Sequence, residues 1–219
     1  MNATILIRRG ALLASVSTLV SGPLLFAITL LVAPQPMWSG AAIAAQNHHW
    51  LQELTYFCGF GIIAGMLMLA AGHFLFARES ERGWSLLALV STVIFATLIS
   101  FNYIVQTTFV RNLLIAYQPS DEAAIAAFSM LNPRSLAWCI EMWGYGILGV
   151  ATWLLAPLYS RDKAISRMLV ANGIVSIGSA LATSYDSAWL MTAVGLSSYI
   201  LWNALLIALT YLIYRRTPL

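Results

Sequence analysis

Charged residues are scarce in this chain of 219 residues. Only 9% of the residues are Asp, Glu, Lys or Arg, whereas 60% are hydrophobic. Soluble domains need about a quarter of their residues charged to cover a surface that faces water. The composition therefore excludes an ordinary soluble domain and predicts an integral membrane protein with the lipid bilayer as its solvent.

Cysteine and histidine are also scarce, which limits the redox and metal chemistry. Cys58 and Cys139 form no CxxC motif and no Cys/His cluster of metal-binding spacing, so we expect two free thiols. A disulfide between them is geometrically possible only if their helices touch. His48, His49 and Glu53 are weak candidates for metal ligands, because no HExxH-type motif supports them. We expect no metal and no cofactor.

A nucleic-acid partner is not expected, although the net charge is +3. The basic residues are scattered between apolar blocks and form neither a basic stripe nor a stacking platform. A phosphate loop is not expected either, because the glycines are not followed by the Lys of a Walker pattern.

Six apolar runs are long enough to cross a hydrocarbon core, which takes about 20 helical residues. The predicted spans are residues 11–33, 54–76, 84–110, 136–158, 168–184 and 190–214. A signal peptide is the competing interpretation of the first run, but an apolar region of about 7–15 residues would then be expected. No linker divides the runs, so we predict a single domain over residues 1–219.

A short lateral helix is predicted between the third and fourth spans. There Ser120 resembles an N-cap, two acidic residues follow it in the first turn, and apolar residues continue over 123–131. The predicted fold is an all-α polytopic membrane bundle of six transmembrane helices, with this lateral helix on the outer face.

The orientation follows from the positive-inside rule, which counts Lys and Arg in the connections. With the amino terminus inside, the cytoplasmic segments hold nine basic residues, and only Arg111 and Arg134 lie outside. The nine are Arg8, Arg9, Arg78, Arg82, Arg161, Lys163, Arg167, Arg215 and Arg216. We predict a multi-pass protein of the inner cell membrane with both termini in the cytoplasm.

The unusual polar residues concentrate in the hairpin from Asn102 to Tyr145. Glu141 is the only carboxylate predicted within a span, and an intramembrane ionisable group indicates a functional site by default. At about 1.5 Å per helical residue, Gln106, Asn102 and Glu141 reach similar depths. The candidate ligand-binding residues are Asn102, Gln106, Glu141, Tyr145, Arg111, Arg134 and Asn132.

Three function classes remain open for this hairpin. The leading one is binding or transport of a small polar or amphipathic molecule, or of a cation, in an outer-facing cavity around Glu141. A membrane enzyme would use Glu141 as acid or base with a second group from His48, His49, Glu53 or Asp186. A helper subunit would use Glu141 only to join two helices, and its partner would be another membrane protein or a second copy of the chain.

The residues of this hairpin also carry a resemblance. An Asn-Tyr-x-x-Gln helix, then Asn-Pro, then a Glu-x-x-Gly-Tyr helix resembles a family of uncharacterised multi-pass bacterial membrane proteins with a domain of unknown function. The resemblance covers chiefly the third and fourth helices and implies importance for Asn102, Gln106, Asn132, Glu141 and Tyr145. It implies no activity.

The last two spans carry further amide and hydroxyl side chains. Such residues recur at contacts between membrane helices, so we interpret them as interhelical hydrogen-bonding groups. They are Asn172, Ser176, Ser179, Ser197, Ser198 and Asn203.

The predicted orientation can be tested with a tag on the carboxyl terminus. An impermeant reagent added to intact cells should not label this tag, because the cytoplasmic ends carry the basic residues. A tag inserted between Arg111 and Arg134 should be labelled and serves as the control. Labelling of the carboxyl-terminal tag from outside would contradict the orientation.

Overall fold

A computed structural model describes residues 2–217, and over this range the chain forms helices and turns only. Short helical turns of other types connect or interrupt the α-helices. The α-helices are α1 (Ala3–Leu19), α2 (Leu25–Val32), α3 (Ala41–Gln46), α4 (Leu51–Phe76), α5 (Arg82–Ile104), α6 (Arg111–Ile115), α7 (Glu122–Phe128), α8 (Leu136–Leu155), α9 (Lys163–Tyr185) and α10 (Ala193–Arg216).

Six helical segments are long and apolar enough to cross a membrane, which confirms the predicted all-α bundle. The chain is a multi-pass membrane protein. The segments are Ala3–Val32, Leu51–Phe76, Glu79–Ile115, Leu136–Tyr159, Lys163–Tyr185 and Ala193–Arg216.

Capping residues explain where several helices begin. The first helix begins at Ala3 rather than at residue 11, because the side chain of Asn2 accepts a hydrogen bond from Thr4 N at 2.9 Å. The fifth span begins at Lys163, five residues before the predicted start, because Asp162 caps Ile165 N at 3.3 Å. Side-chain caps of this kind satisfy backbone groups that the first turn leaves free.

The six spans form a closed ring in chain order. Each span packs against the next one in the chain, and α10 returns to pack against α1. The ring encloses a core to which five of the spans contribute, including Ala14, Phe95, Leu148 and Leu206.

At one end of the bundle Arg216 donates to both oxygens of Asp162, at 2.6 and 2.5 Å, which ties α10 to the start of α9. This arginine also lowers the pKa of the Asp162 carboxyl.

Two π turns interrupt the long helices. The first, Val20–Leu24, contains Pro23 and separates α1 from α2. The second, Val105–Val110, lies between α5 and α6 and contains Gln106. In the first turn, Pro23 cannot donate a backbone hydrogen bond, and a π turn is one way in which a helix accommodates that loss. Both turns redirect the side chains that come after them.

A short helix, α7, lies between the third and fourth spans and is shorter than the predicted lateral helix. It ends at Phe128, whereas the apolar pattern continues to residue 131. It packs with α3 and α6 around Ala44, Leu114 and Ile125 at the end of the bundle where α4 begins. The Glu122 carboxylate accepts a hydrogen bond from Ala41 N at 2.9 Å and so holds α3 against α7.

The contact between α1 and α4 generates a stability prediction. A methyl group at Gly65 would lie 2.5 Å from Ala14 N and 2.8 Å from Gly10 O, which are backbone atoms that cannot rotate away. We expect Gly65→Ala to lower the free energy of unfolding by about 1–3 kcal/mol, the usual cost of overpacking. The measurement is thermal unfolding in detergent.

The matched control for this substitution is Gly178→Ala. A methyl group at Gly178 meets no atom within 4 Å. Since Ala is favoured over Gly in helices by about 1 kcal/mol, this control should be neutral or stabilising. Equal midpoints for the two variants would contradict close packing of α1 on α4.

Candidate functional site

The Glu141 carboxylate is held between α5 and α8. It lies in the second turn of α8, whose start is capped by Ser135. Its Oε2 accepts a hydrogen bond from Asn102 Nδ2 at 2.8 Å, and its Oε1 accepts one from the Tyr103 hydroxyl at 3.0 Å. Only 9% of the Glu141 surface is exposed. The buried carboxylate therefore has two neutral donors, both from α5.

A second hydroxyl continues this network toward the bundle interior. The Tyr145 and Tyr103 hydroxyl oxygens lie 2.9 Å apart. When Tyr103 donates to the carboxylate, its oxygen accepts the proton of Tyr145. Glu141 and Tyr145 lie one helical turn apart on the same face of α8. The result is a continuous chain of hydrogen bonds from Tyr145 through Tyr103 to Glu141.

Gln106 does not reach Glu141 but holds the turn that precedes α8. Its Oε1 accepts a hydrogen bond from Met130 N at 3.0 Å, and its Nε2 donates to Phe128 O at 2.8 Å. The same Nε2 donates to Asn102 Oδ1 at 3.2 Å. Gln106 thus orients Asn102, which in turn donates to the carboxylate.

A cavity of about 580 Å³ lies beside Glu141. It occupies the half of the bundle that contains the beginnings of α4 and α8. Aromatic residues, small hydroxyl residues and methionines dominate its wall. The main lining residues are Ser21, Phe26, Thr29, Gln52, Thr55, Tyr56, Tyr103, Met130, Trp138, Glu141, Met142, Tyr145, Ser176, Ser179, Met191, Leu196, Tyr199, Trp202 and Asn203.

The cavity reaches the surface of the bundle near α2 and α10. Phe26, Met191 and Leu196 line it, and each of them is also about half exposed. The rings of Phe26 and Tyr199 face each other here with centroids 6.3 Å apart. The opening is therefore framed by apolar and aromatic side chains.

The charge of Glu141 has no cationic partner in the cavity. Among the lining residues, all of which lie within residues 2–217, none is Lys, Arg or His. Glu141 is the only carboxylate among them. A buried charge without a counterion is costly, so the site favours either a proton on Glu141 or a cation beside it.

Three buried donors of the cavity wall have no hydrogen-bond partner in the described part of the chain. They are the hydroxyls of Thr29 and Ser176 and the indole Nε1 of Trp202, from α2, α9 and α10. Buried polar groups are almost always partnered in native proteins. A small rotation of these side chains toward the cavity would let a ligand atom accept a hydrogen bond from them.

Five predicted ligand-binding residues, Arg111 among them, are placed away from the cavity wall. Asn102 supports the carboxylate from behind, and Gln106 holds the turn. Asn132 donates from Nδ2 to Ala126 O at 2.6 Å, and its Oδ1 accepts from Arg134 N at 3.0 Å, so it fixes the connection between α7 and α8. The side chain of Arg134 is exposed.

Arg111 is engaged by a different carboxylate. Its Nε donates to the Glu53 oxygens at 2.9 and 3.0 Å, and Glu53 Oε1 lies 3.3 Å from His48 Nε2. This cluster ties the start of α4 to α6 at the end of the bundle. Neither Arg111 nor Arg134 forms an ion pair with Glu141 in the described residues.

The weak metal candidates do not converge. Within residues 2–217 no group of three His, Cys, Asp or Glu side chains could hold a metal ion. His49 Nδ1 instead accepts a hydrogen bond from Leu51 N at 3.2 Å. Cys58 and Cys139 are both free, as expected.

Several wall residues were missed by the sequence analysis. Tyr56 from α4 and Tyr199 and Trp202 from α10 stand out in the sequence only as aromatic residues inside spans. Ser176 was interpreted as an interhelical hydrogen-bonding group, yet its hydroxyl has no partner in the described chain. The same interpretation holds for Ser179, which bonds Ser198 at 3.2 Å, and for Asn172, which donates to Thr152 at 3.1 Å.

Substitutions of Glu141 should separate its structural role from its charge. In Glu141→Gln the amide oxygen still accepts a hydrogen bond from Asn102. The amide nitrogen donates one to the Tyr103 oxygen, and the Tyr103 hydroxyl then donates to Tyr145. We expect thermal stability close to that of the parent. In Glu141→Leu both donors lose their acceptor, and the cost should be about 0.6–2 kcal/mol for each interhelical hydrogen bond.

The control for both variants is Glu79→Gln, which alters an exposed carboxylate at the opposite end of the bundle. Its thermal midpoint should not change. If Glu141→Gln were as unstable as Glu141→Leu, the bonds to Asn102 and Tyr103 would not account for the position of the carboxylate.

Comparison of the chain with protein-family models, with curated proteins and with solved structures finds no match in any of the three. The function therefore has to be inferred from the cavity and from the residues that form it.

Proposed function

We propose that this membrane protein binds or transports a small polar or amphipathic molecule, or a cation, in the cavity around Glu141. One observation carries the proposal. A carboxylate residue that is only 9% exposed inside a membrane bundle lies against a cavity of about 580 Å³ and has no cationic side chain beside it. Cavities of about 300–1,000 Å³ are typical of small-molecule sites.

The energetics of the bilayer support this proposal. An ionisable group inside a membrane costs several kcal/mol unless it is paired or hydrated, and such groups commonly mark substrate and ion pathways. A residue needed only to join α5 and α8 could be a neutral amide, which would hydrogen-bond without this cost. The carboxylate therefore favours a role for its charge, and that role requires a ligand or a proton.

The helper-subunit alternative receives less support from this geometry. A carboxylate used only as a staple between helices would be surrounded by packed side chains on all sides. Glu141 is packed on the side of Asn102 and Tyr103, but its other side lines the cavity.

The enzyme alternative also receives less support. It requires His48, His49, Glu53 or Asp186 to approach Glu141, and none of these four residues lines the cavity. Glu53 is engaged by Arg111, and the Asp186 carboxylate caps Ala188 N at 3.0 Å. We therefore place binding or transport ahead of catalysis.

The direction of access is part of the same proposal. In the orientation that the basic residues predict, the beginnings of α4 and α8 face the outside, so the cavity lies in the outer half of the membrane. We further propose that the protein lies in the inner cell membrane. We also propose that it belongs to the bacterial family that the hairpin resembles. The exposed wall residues near α2 and α10 support entry from the bilayer as well as from water.

Accessibility of the cavity can be measured with a single introduced cysteine. Ser21 lies in the π turn of the first span and lines the cavity. In a Cys58→Ser, Cys139→Ser background, we expect Ser21→Cys to react with methyl methanethiosulfonate, because the cavity admits small solutes. The extent of modification is measured by mass spectrometry of the protein in membranes.

The matched control is Ser85→Cys, another buried serine but one that does not line the cavity. It should react far more slowly in the same background. If both cysteines were equally protected, the cavity would be closed to solutes, and the proposed function would fail.

A further inference from the structure

We infer that the ligand of this cavity is an amphipathic organic cation, such as an amine or a quaternary ammonium compound with an apolar body. The inference rests on the proposed function and specifies the chemical class of the ligand. It follows from the charge of the cavity, from the nature of its wall and from its size.

The charge of the cavity selects a cation. Glu141 is the one carboxylate among the lining residues, and no lysine, arginine or histidine accompanies it there. When Glu141 is ionised, its two hydrogen-bond donors, Asn102 and Tyr103, are neutral and leave the negative charge without a counterion. A bound cation completes an ion pair in a medium where electrostatic attraction is only weakly screened. An anionic ligand would instead meet repulsion from the same carboxylate.

The size and the donor set of the cavity favour an organic cation over a bare metal ion. Hard metal ions take six or more oxygen ligands in a compact arrangement. Here a single carboxylate faces about 580 Å³, a space suited to a molecule with many heavy atoms. No group of three His, Cys, Asp or Glu side chains converges anywhere within residues 2–217.

The wall supplies aromatic rings next to the carboxylate. The Tyr103 hydroxyl donates to Glu141 and lies 2.9 Å from the Tyr145 hydroxyl. The Tyr145 ring packs edge to face with the Trp202 ring at 4.9 Å, and Tyr56 lies 5.3 Å from the Tyr103 ring. Aromatic faces attract ammonium groups, with tryptophan the strongest, and recognition of quaternary ammonium ligands commonly uses such residues.

The remaining wall suits an apolar body with an acceptor atom. Phe26, Met191 and Leu196 contribute apolar surface toward the opening of the cavity. Trp202 Nε1 and the Ser176 hydroxyl are buried donors without a partner in the described chain. Once such a side chain turns toward the cavity, a hydroxyl, ether or carbonyl oxygen of the ligand would satisfy its donor, and this would add specificity to the attraction of the charge.

Two probes of the same shape separate charge from shape. Benzyltrimethylammonium carries a positive charge, and neopentylbenzene replaces its nitrogen by carbon and is neutral. Each probe is added to the Ser21→Cys protein in the cysteine-free background, and the rate of modification by methyl methanethiosulfonate is followed. We expect benzyltrimethylammonium to slow the modification at concentrations at which neopentylbenzene has little effect.

Two substitutions test which residues provide the selectivity. Glu141→Gln should weaken protection by the cation about tenfold or more, because an ion pair is lost, and it should leave protection by the neutral probe unchanged. Trp202→Leu should weaken protection by the cation through loss of an aromatic face. The matched control is Trp153→Leu, which alters an exposed tryptophan outside this cavity. It should not change the protection that either probe gives.

The outcomes distinguish this inference from the proposed function. Equal protection by the two probes would overturn cation selectivity and leave binding in the cavity intact. Modification of Ser21→Cys without protection by either probe would also overturn the inference, since the cavity would admit a small solute but not an aromatic cation. If Ser21→Cys were not modified at all, the proposed function and the inference would fail together.

Discussion

The hydrogen bonds that hold Glu141 between α5 and α8 are the constraint on which the rest of the site depends. A carboxylate within a bilayer must have its oxygens satisfied, and Asn102 and Tyr103 donate to both of them. These donors come from one side only, so the fourth span must lie against the third in a fixed register. The opposite side of the carboxylate is left to face the cavity.

That register is maintained by residues outside the cavity. Gln106, in the second π turn, bonds the backbone at Phe128 and Met130, and Asn132 bonds the backbone at Ala126. These amides replace backbone hydrogen bonds that an irregular connection cannot make for itself, which matters near a membrane because unsatisfied polar groups are costly there. The amides of the hairpin thus act mainly as supports for the carboxylate.

The closed ring of spans explains how distant parts of the chain form one wall. Because α10 packs against α1 as well as α9, residues from the last span stand opposite those of the third and fourth. Trp202 reaches the Tyr145 ring in this way, and Phe26 reaches Tyr199. The first π turn, which contains Pro23, redirects α2 and so frames the opening of the cavity.

The sequence by itself determined that lipid surrounds the chain, how many spans it has and at what depth the polar residues lie. Hydrophobic length and helical rise, on which these depend, are local properties. It also placed Asn102 opposite Glu141, since both lie at one depth on consecutive antiparallel helices. Only the tertiary structure decided that Arg111 pairs with Glu53 and that Trp202 joins the wall. A π turn adds a residue and rotates the side chains beyond it, including Arg111, by roughly 100°. The contacts of Trp202 join spans far apart in sequence, so they depend on how the ring closes.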